Sequence, residues 1–390
     1  MPSRREFLST TARALPVAGA AAVAWDRADQ LAEAAPRARY WLAANAPGAD
    51  CRACHDKVPA GPAKHDPTLV KCLLCAQRCA LTAGQRGRCR ARLNVRGELR
   101  TLVYGRPIAT HVDPIEKKPF YHFLPGSAAF SLATAGCPLR CKFCQNWQLS
   151  QASPEDYDVP YVPPAQIASS AVSRGAPVVA FTYNEPTVFT EYLLDIAAEG
   201  RKRGLRSVMV SCGFMNEAPL ADMCRALDAI KIDLKGFSES FYRDVSSAAL
   251  APVLRSIGQI AKSGTHLEIV NLVVPTLNDS EKMMDELASW VLREAGPDVP
   301  IHFTRFHPDY QLLNLPPTPE ETLERAREIA MAKGLRYVYV GNVPGHLGNH
   351  TYCPGCRKIV IRRQNFFVDE LHVKDGRCEY CRTPIAGVWA

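Results

Sequence analysis

The sequence predicts an α/β protein built on a full or incomplete (β/α) barrel of the TIM type, with a smaller cysteine-rich module on each side. From residue 130 onward, short apolar runs rich in β-branched residues alternate with helical segments, the order typical of a parallel sheet with crossover helices. Six or seven such units occupy about 215 residues, which is close to the size of a barrel domain. The chain of 390 residues is long enough for that core and two modules.

The predicted elements follow one another in regular order along the barrel. Helices are expected to begin near Ser, Thr, Asp or Asn and to end near Gly. In such a barrel the residues that carry the chemistry lie at the carboxyl ends of the strands. We expect strands at Ala129–Ala133, Val178–Thr182, Ser207–Ser211, Ala229–Leu234, His266–Val274, Ile301–Phe306 and Tyr337–Val340, and helices at Thr187–Arg203, Ala218–Leu227, Ser246–Lys262, Ser280–Glu294 and Pro319–Lys333.

Composition divides the chain into four segments. Residues 1–50 form an alanine-rich, signal-like segment and linker, and residues 51–125 form a module rich in Cys, Arg and Gly with short strands around Leu93–Tyr104. Residues 126–345 form the barrel. Residues 346–390 form a zinc-ribbon-like module, with strands expected at Ile359–Ile361 and Phe366–Leu371.

Charge and hydropathy exclude two classes of partner. A net charge of +8 is spread along the chain without a long Lys/Arg run, so we expect no nucleic-acid partner. No run of 18 apolar residues occurs, so we expect no membrane-spanning segment. A content of 47% hydrophobic and 22% charged residues is ordinary for a globular enzyme.

The fifteen cysteines favour metal ligation over disulfides. Most of them fall into compact groups, whereas disulfide frameworks space cysteines more widely and belong mainly to small secreted domains. Cys212 and Cys224 stand alone, and we expect both to be small buried hydrophobic residues.

The amino terminus resembles an export signal. Ser3-Arg4-Arg5-Glu6-Phe7-Leu8 is a twin-arginine pattern, an apolar stretch follows at Ala14–Ala24, and Ala32-Glu33-Ala34 could precede cleavage. A chance basic, alanine-rich helix is the alternative interpretation. The pattern suggests a periplasmic or exported protein.

Three cysteines follow the first barrel strand. Cys137, Cys141 and Cys144 lie on a loop opened by Gly136 and Pro138. Three thiolates can hold three irons of a four-iron cluster and leave the fourth iron open to an outside ligand. The alternative is a zinc site completed by a distant residue.

Polar residues end the next strands of the barrel. Asn184 and Glu185 follow the second strand, and they also fit a helix cap with Pro186 in the first turn. Asp233 and Lys235 end the fourth strand on one face and could form a plain salt bridge. Three further candidates to line the cavity, or simply to form turns, are Ser211, Asn271 and His307.

Three further cysteine patterns lie outside the barrel. Cys72, Cys75, Cys79 and Cys89 could hold zinc or an additional iron–sulfur cluster, and their spacing does not decide between them. Two close pairs have the spacing of a structural zinc site: Cys353, Cys356, Cys378 and Cys381. The third pattern fits covalent attachment of a c-type haem or a chance match: Cys51, Cys54 and His55.

The three-cysteine loop, with the aromatic Phe143 before its last cysteine, resembles the signature of the radical S-adenosylmethionine (radical SAM) superfamily. Taken in order, the motifs closely resemble the AmmeMemoRadiSam-system radical SAM enzymes, relatives of pyruvate formate-lyase activating enzyme. The resemblance covers roughly residues 70–390 and includes the four-cysteine module, His111-Val-Asp-Pro-Ile-Glu-Lys-Lys-Pro119, Tyr183–Thr187, Asp233–Lys235 and the carboxyl-terminal Ile385-Ala-Gly-Val-Trp389.

The resemblance implies the chemistry. A 4Fe-4S cluster on the three cysteines would bind and cleave S-adenosylmethionine (SAM) to a 5′-deoxyadenosyl radical, which abstracts hydrogen from a substrate. Asn184 and Glu185 would face the ammonium of SAM, with Tyr183 and Asn184 in place of the family's two glycines, and Asp233 and Lys235 would belong to the SAM site. The substrate would be a protein glycine, a small molecule or a peptide, and a flavodoxin or ferredoxin would supply the electron.

Two other functions remain open from the sequence. One is an electron-transfer protein outside the cytoplasm that carries several clusters and a haem, but such a carrier needs no open iron. The other is a zinc-ribbon binding module, which explains only residues 351–390. The localisation also remains open, because radical SAM chemistry indicates the cytoplasm whereas the twin-arginine pattern indicates export.

Overall fold

The computed structural model describes residues 30–44 and 66–390. The twin-arginine pattern, the apolar stretch after it and the Cys51, Cys54, His55 pattern lie outside the described residues. Within residues 30–44 and 66–390, no helix combines the length and the apolar composition needed to cross a membrane.

Strands in five sheets account for the β structure of the described residues. Their bounds are β1 Trp41–Ala43, β2 Val70–Cys72, β3 Ala80–Leu81, β4 Arg92–Val95, β5 Glu98–Thr101, β6 Ala109–Pro114, β7 Ala128–Ala133, β8 Val178–Phe181, β9 Arg206–Ser211, β10 Ala229–Asp233, β11 His266–Val273, β12 Ile301–Arg305, β13 Val338–Gly341, β14 Thr351–Tyr352, β15 Ile359–Gln364, β16 Phe367–Leu371, β17 Val373–Lys374 and β18 Arg377–Cys378.

The central sheet has eight strands in the order β13-β12-β11-β10-β9-β8-β7-β6. Strands β7 to β13 run parallel to one another and confirm the seven predicted strands. Strand β6 is an unpredicted eighth strand, antiparallel to β7. Its residues are mostly exposed or half-buried, so it lacks the apolar run by which the other strands were recognised.

The crossover helices also agree with the prediction. Pro186–Phe189 forms a 3-10 turn, so the helix predicted at Thr187–Arg203 begins only at Thr190. Tyr242–Ser246 forms a π-helical turn, and the helix predicted at Ser246–Lys262 begins only at Leu250. The first crossover helix, rich in alanine and serine, was not predicted. The α-helices are α1 Trp147–Ser150, α2 Pro164–Ser173, α3 Thr190–Arg201, α4 Glu217–Ala226, α5 Glu239–Phe241, α6 Leu250–Ala261, α7 Glu281–Ala295 and α8 Glu320–Lys333.

The main core lies between the sheet and these helices. On β10, Ile230 and Ile232 are fully buried in that core. Because side chains alternate between the two faces of a strand, Lys231 and Asp233 point to the opposite face, inside the barrel. Helix α6 covers the outer face with Val253, which is also fully buried. On β10, the positions that face the inside of the barrel are therefore occupied by charged side chains.

The barrel is incomplete, and the carboxyl-terminal module covers its open side. Edge strands β6 and β13 do not pair with each other in the described sheet. The Val388 N–H donates to the carbonyl of His122 at 2.7 Å, and the Leu124 N–H donates to the carbonyl of Val388 at 2.8 Å. On the β13 side, the hydroxyls of Tyr339 and Thr351 are 2.9 Å apart. The module thus contacts both edges of the gap.

A buried carboxylate holds the segment after β6 inside the gap. Glu268 on β11 accepts from the N–H groups of Tyr121 and His122 at 2.9 and 2.8 Å and contacts Nε2 of His302 at 2.8 Å. Burial opposes ionisation of Glu268, but the hydrogen bonds and charges of His266 and His302 outweigh it and hold the pKa well below its usual range. Glu268 therefore remains a carboxylate that ties three elements together.

The amino-terminal module is joined to the barrel by a buried ion pair. Arg92 on β4 and Glu191 on α3 form two hydrogen bonds of 2.7 and 2.6 Å, with side chains only 1% and 6% exposed. The pair is bidentate, which is the strongest geometry available to an arginine and a carboxylate. Burial alone would raise the pKa of Glu191, but the charge and hydrogen bonds of Arg92 lower it.

We predict that Glu191→Ala destabilises the amino-terminal module by about 3–5 kcal/mol, because it leaves the Arg92 charge buried without a partner. Urea denaturation checks this. The matched control is Glu199→Ala on the same helix, whose partners Lys202 and Arg203 lie at the surface. That change is expected to have a much smaller effect, because ion pairs at the surface contribute little to stability.

Equal losses in both variants would contradict this role. The pH dependence gives a second check. A carboxyl whose pKa is lowered by folding contributes stability above its unfolded pKa, and the contribution is lost as the pH falls through the folded pKa. The natural protein should therefore have a higher free energy of unfolding than Glu191→Gln at pH 7. This difference should shrink in acid, since the pKa of Glu191 is lowered.

Candidate active site

A cavity of about 450 Å³ lies inside the barrel among residues at the carboxyl ends of the strands. The predicted residues that line it come from four strand ends: Cys137, Cys141 and Cys144 after β7, Asn184 and Glu185 after β8, Ser211 at the end of β9, and Asp233 and Lys235 at and after the end of β10. Lys118, Tyr121 and His302 extend the lining toward the covered side of the barrel. The structure thus brings most of the sequence-predicted site residues together.

The three-cysteine loop is held at both ends. Gly136 has a φ of +97°, and a Cβ at this position would collide with the carbonyl oxygen of Cys89. Glycine is needed here for both its conformation and its size. Farther along, the N–H groups of Arg140 and Lys142 donate to the carbonyls of Ser246 and Val245, both at 3.0 Å. The loop therefore presents its thiols from a fixed backbone.

The thiols of this loop are suited to a cluster rather than to a single ion. Among the described residues, only the four carboxyl-terminal cysteines gather at least three ligand atoms within 4.8 Å of one another. Cys137, Cys141 and Cys144 are spread more widely, whereas the ligands of one tetrahedral zinc ion must be close together. Burial raises the pKa of Cys137 and of Cys141, so metal binding would have to release their protons.

Asn184 carries an unused hydrogen-bond acceptor beside this loop. Its Nδ2 donates to the carbonyl of Gly136 at 2.9 Å and to the hydroxyl of Thr134 at 3.3 Å. Its Oδ1 is buried and has no hydrogen-bond partner. Because a buried polar atom without a partner costs free energy, this oxygen is suited to receive a donor from a bound ligand.

Both carboxylate oxygens of Glu185 accept hydrogen bonds from other residues of the protein. Oε1 accepts from the hydroxyls of Ser211 at 2.7 Å and Thr187 at 2.6 Å, and Oε2 accepts from the N–H of Cys212 at 2.7 Å. Glu185 also caps the 3-10 turn Pro186–Phe189 through the N–H of Thr187. The expected cap is present but shifted by one residue, because Glu185 rather than Asn184 is the capping residue. Glu185 additionally ties the ends of β8 and β9 together at the cavity wall.

Asp233 lies between two lysines on the inner face of β10. It pairs with Lys231, and its Oδ2 is 3.4 Å from Nζ of Lys235. Burial opposes ionisation of Asp233, but the two lysine charges lower its pKa. The ammonium of Lys235 also lies 5.6 Å from the ring centre of Phe143, in the cysteine loop. Sequence reasoning missed Lys231, although its two-residue spacing from Asp233 predicts the same strand face.

A second charged group was also missed. Asp113 on β6 accepts from Lys118 Nζ at 2.6 Å and from the Tyr183 hydroxyl at 2.7 Å. The ammonium of Lys118 lies 4.6 Å from the ring centre of Tyr183. Tyr183 has a φ of +71°, in the left-handed region that favours glycine. This backbone conformation is strained for a tyrosine, and the tyrosine hydroxyl is a hydrogen-bond partner of Asp113.

Two predicted cavity residues lie elsewhere. Asn271 is on the outer face of β11, where its Nδ2 donates to the carbonyl of Leu234 at 2.7 Å, while its neighbours Val270 and Leu272 line the cavity. His307 is exposed beyond the end of β12 and does not line the cavity either. On that strand, His302 faces inward instead. Strand alternation explains the misplacement of Asn271.

The remaining cysteines occupy three places. Cys353, Cys356, Cys378 and Cys381 gather their sulfur atoms within 4.8 Å of one another, which fits a single tetrahedral metal ion. Cys212 is buried as expected and also lines the cavity, whereas Cys224 is only partly buried. The amino-terminal group lies in and after the β2–β3 hairpin: Cys72, Cys75, Cys79 and Cys89.

Comparison with known proteins agrees with this site. The family model of the radical SAM superfamily matches residues 131–288, which include the three-cysteine loop. An uncharacterized protein of Methanocaldococcus jannaschii is 41% identical over 320 residues, which are 82% of this chain and 95% of the relative. The benzylsuccinate synthase activating enzyme of Thauera aromatica is 24% identical over 181 residues, 43% of this chain and 54% of that enzyme.

The likeness to a solved structure is weaker. A domain of a pyruvate-formate lyase-activating enzyme from Bacteroides vulgatus superposes with a TM-score of 0.39 at 18% identity, covering 42% of this chain and 98% of that one. The family match and the sequence relatives carry the assignment. The chain belongs to the radical SAM superfamily and is an enzyme similar in sequence to activating enzymes.

Proposed function

We propose that Cys137, Cys141 and Cys144 hold a 4Fe-4S cluster that binds and cleaves SAM in the barrel cavity, and that a substrate bound in the same cavity gives up a hydrogen atom. The observation that carries the proposal is the meeting of the three thiols and the unpartnered Oδ1 of Asn184 at one cavity wall. SAM suits both features. Its ammonium group can donate to the oxygen of Asn184, and SAM can bind the iron that three thiolates leave open.

Asn184 and the residues after β10 would hold the amino-acid end of SAM. The Oδ1 of Asn184 is suited to accept from its ammonium, and Asp233 and Lys235 offer opposite charges to a zwitterion. Glu185 and Ser211 would position this wall, because their hydrogen bond fixes β8 against β9. When reduced, the cluster would supply the electron that breaks a carbon–sulfur bond of SAM and generates the 5′-deoxyadenosyl radical.

The substrate is better described as a small polar molecule or short peptide than as a glycine within a folded protein. The carboxyl-terminal module covers the open side of the barrel through Val388 and Thr351. The cavity of about 450 Å³ is in the range of small-molecule sites. Lys118, Lys231 and His302 line it, so the substrate would carry acceptor or acidic groups.

Catalysis also needs an electron from outside the chain, for which a flavodoxin or ferredoxin remains our proposal. A protein that only transferred electrons would have no use for the unpartnered Asn184 acceptor or for the Asp233–Lys235 pair in the cavity. In the carboxyl-terminal module, the compact four-cysteine group supports a structural zinc ion. Export through the twin-arginine segment and haem on Cys51 and Cys54 remain predictions.

We predict that the anaerobically reconstituted and dithionite-reduced protein cleaves SAM to 5′-deoxyadenosine, and that Cys141→Ala abolishes the cleavage because one iron loses its ligand. Chromatographic detection of 5′-deoxyadenosine checks both. Cys224→Ala, a change remote from the cavity lining, is the matched control and should retain activity. A natural protein with full iron and sulfide content that never cleaves SAM would refute the proposed function.

We expect Asn184→Ala to weaken SAM binding by about 10- to 150-fold, the range for losing a hydrogen bond to a charged group. Anaerobic calorimetric titration of SAM into the reconstituted protein measures the effect. His307→Ala is the control, since this exposed residue does not line the cavity. Equal affinity in both variants would show that the acceptor of Asn184 does not bind SAM.

The carboxyl-terminal site is predicted to carry about one zinc ion per chain. The double change Cys356→Ser and Cys381→Ser should release it and lower the midpoint of thermal unfolding, because the four sulfurs form one compact ligand set. Elemental analysis checks the metal, with Cys224→Ser as control. Iron without zinc in the natural protein, or zinc retained in the double variant, would contradict the assignment.

A further inference from the structure

The amino-terminal cysteines form a second group of thiols, and the proposed reaction assigns them no role. Across the β2–β3 hairpin, the N–H of Cys72 donates to the carbonyl of Cys79 at 2.9 Å. The N–H of Arg88, next to Cys89, donates to the sulfur of Cys79 at 3.5 Å. Cys72, Cys75 and Cys89 are buried. Two separated parts of the chain thus deliver four thiols to one place.

The geometry of these thiols differs from that of a disulfide pair or a single-ion site. Cys72, Cys75, Cys79 and Cys89 are all free. They do not form a group with ligand atoms within 4.8 Å of one another, whereas the carboxyl-terminal cysteines of the same chain do. A centre with several irons separates its thiolates more widely than one zinc ion does. The spacing therefore favours an iron–sulfur cluster.

A buried donor beside the thiols supports the same conclusion. Arg92 is only 1% exposed, and its Nη atoms are bonded to Glu191 and to the carbonyl of Val188. Its Nε has no hydrogen-bond partner although it is buried. Arg92 lies close enough to Cys72 and Cys89 to act electrostatically on both. Sulfur atoms of a bound cluster would provide the acceptor that this N–H lacks.

This module touches the three-cysteine loop directly. The carbonyl of Cys89 packs against Gly136 so closely that no Cβ fits between them. Arg140 bridges the two loops, donating to the carbonyl of Cys137 at 2.8 Å and to that of Arg88 at 2.6 Å. The Nε of Arg88 in turn donates to the carbonyl of Pro138 at 3.2 Å. Residues adjacent to one set of thiols thus hydrogen-bond to residues adjacent to the other.

We propose that Cys72, Cys75, Cys79 and Cys89 hold a second iron–sulfur cluster, which relays the reducing electron to the cluster on Cys137, Cys141 and Cys144. The relay role rests on the proposed function, whereas the metal site does not. In each turnover an external low-potential donor gives one electron to the second cluster, which passes it on and returns to its oxidised state. The electron then enters the bond between sulfur and carbon in SAM, and that bond breaks to give methionine and the 5′-deoxyadenosyl radical.

Iron and acid-labile sulfide analysis tests the metal site without any reference to SAM. A loop variant with Cys137, Cys141 and Cys144 all changed to Ala should retain about half of the iron and sulfide and show an electron paramagnetic resonance signal on reduction. A module variant, Cys75→Ala with Cys89→Ala, should lose the other half. Cys224→Ala should lose neither.

Each opposite result overturns the site. A loop variant that contains no sulfide, or that carries zinc in the amino-terminal module, would exclude a second cluster. A module variant with the full iron and sulfide content would do so as well. Sulfide is decisive because single metal ions in the carboxyl-terminal cysteines bring none.

The relay is tested with two reductants on the module variant. With dithionite, which reaches the first cluster without a protein donor, SAM cleavage should remain within about threefold of the natural protein. With reduced flavodoxin or ferredoxin, the rate should fall at least tenfold, while SAM binding and the signal of the first cluster remain unchanged. If the module variant keeps the same fraction of the natural protein's rate with both reductants, the relay is refuted. Loss of the first cluster's signal as well would show that the module supports the loop structurally, and would also refute it.

Discussion

The charge pairs on the inner face of the barrel are the constraint on which the site depends. Asp233 lies between Lys231 and Lys235, and the alternating Ile230 and Ile232 are buried among the outer helices. Apolar residues at the inner positions would fill the barrel as a packed core, as happens in ordinary closed barrels. Charges can remain inside only when they are paired, because an unpaired buried charge is strongly destabilising. The pairing therefore preserves both the cavity and the polarity that a zwitterionic ligand requires.

The same requirement explains how the other walls are built. Asp113 is satisfied by Lys118 and Tyr183, and Glu185 is satisfied by Ser211 and Thr187. In each case a carboxylate joins two or more segments of the chain at the cavity. The Oδ1 of Asn184, by contrast, has no hydrogen-bond partner. In a wall where the neighbouring carboxylates are satisfied, an unsatisfied acceptor next to the cysteine loop marks the place where a ligand completes the structure.

The parallel strands and the cysteine groups could be predicted because each has a local signal. Strands β7 to β13 are apolar and β-branched, and the cysteine spacing is visible without any tertiary information. Strand β6 could not be predicted, because its polar residues are placed by pairing with β7 rather than by burial. Asn271 was misplaced because a position near a strand end does not by itself show which face of the sheet the side chain takes. In the structure, the neighbouring Val270 and Leu272 line the cavity, so Asn271 lies on the opposite face. Contacts between distant segments, such as Cys89 with Gly136, leave no trace in sequence spacing.

The carboxyl-terminal module, which carries the compact four-cysteine group, contacts the chain segment that lines the cavity. Arg363 on β15 donates to the carbonyl of Tyr121 at 2.7 Å, and its guanidinium lies 4.1 Å from the centre of the Tyr121 ring, which lines the cavity. The main chain of the same segment is held from the other side by Glu268 inside the barrel. A small module with little core of its own would depend on the proposed metal for a fixed structure. Closure of the open side of the barrel, and with it the shape of the substrate cavity, therefore depends on the four cysteines that lie farthest from the reaction in the sequence.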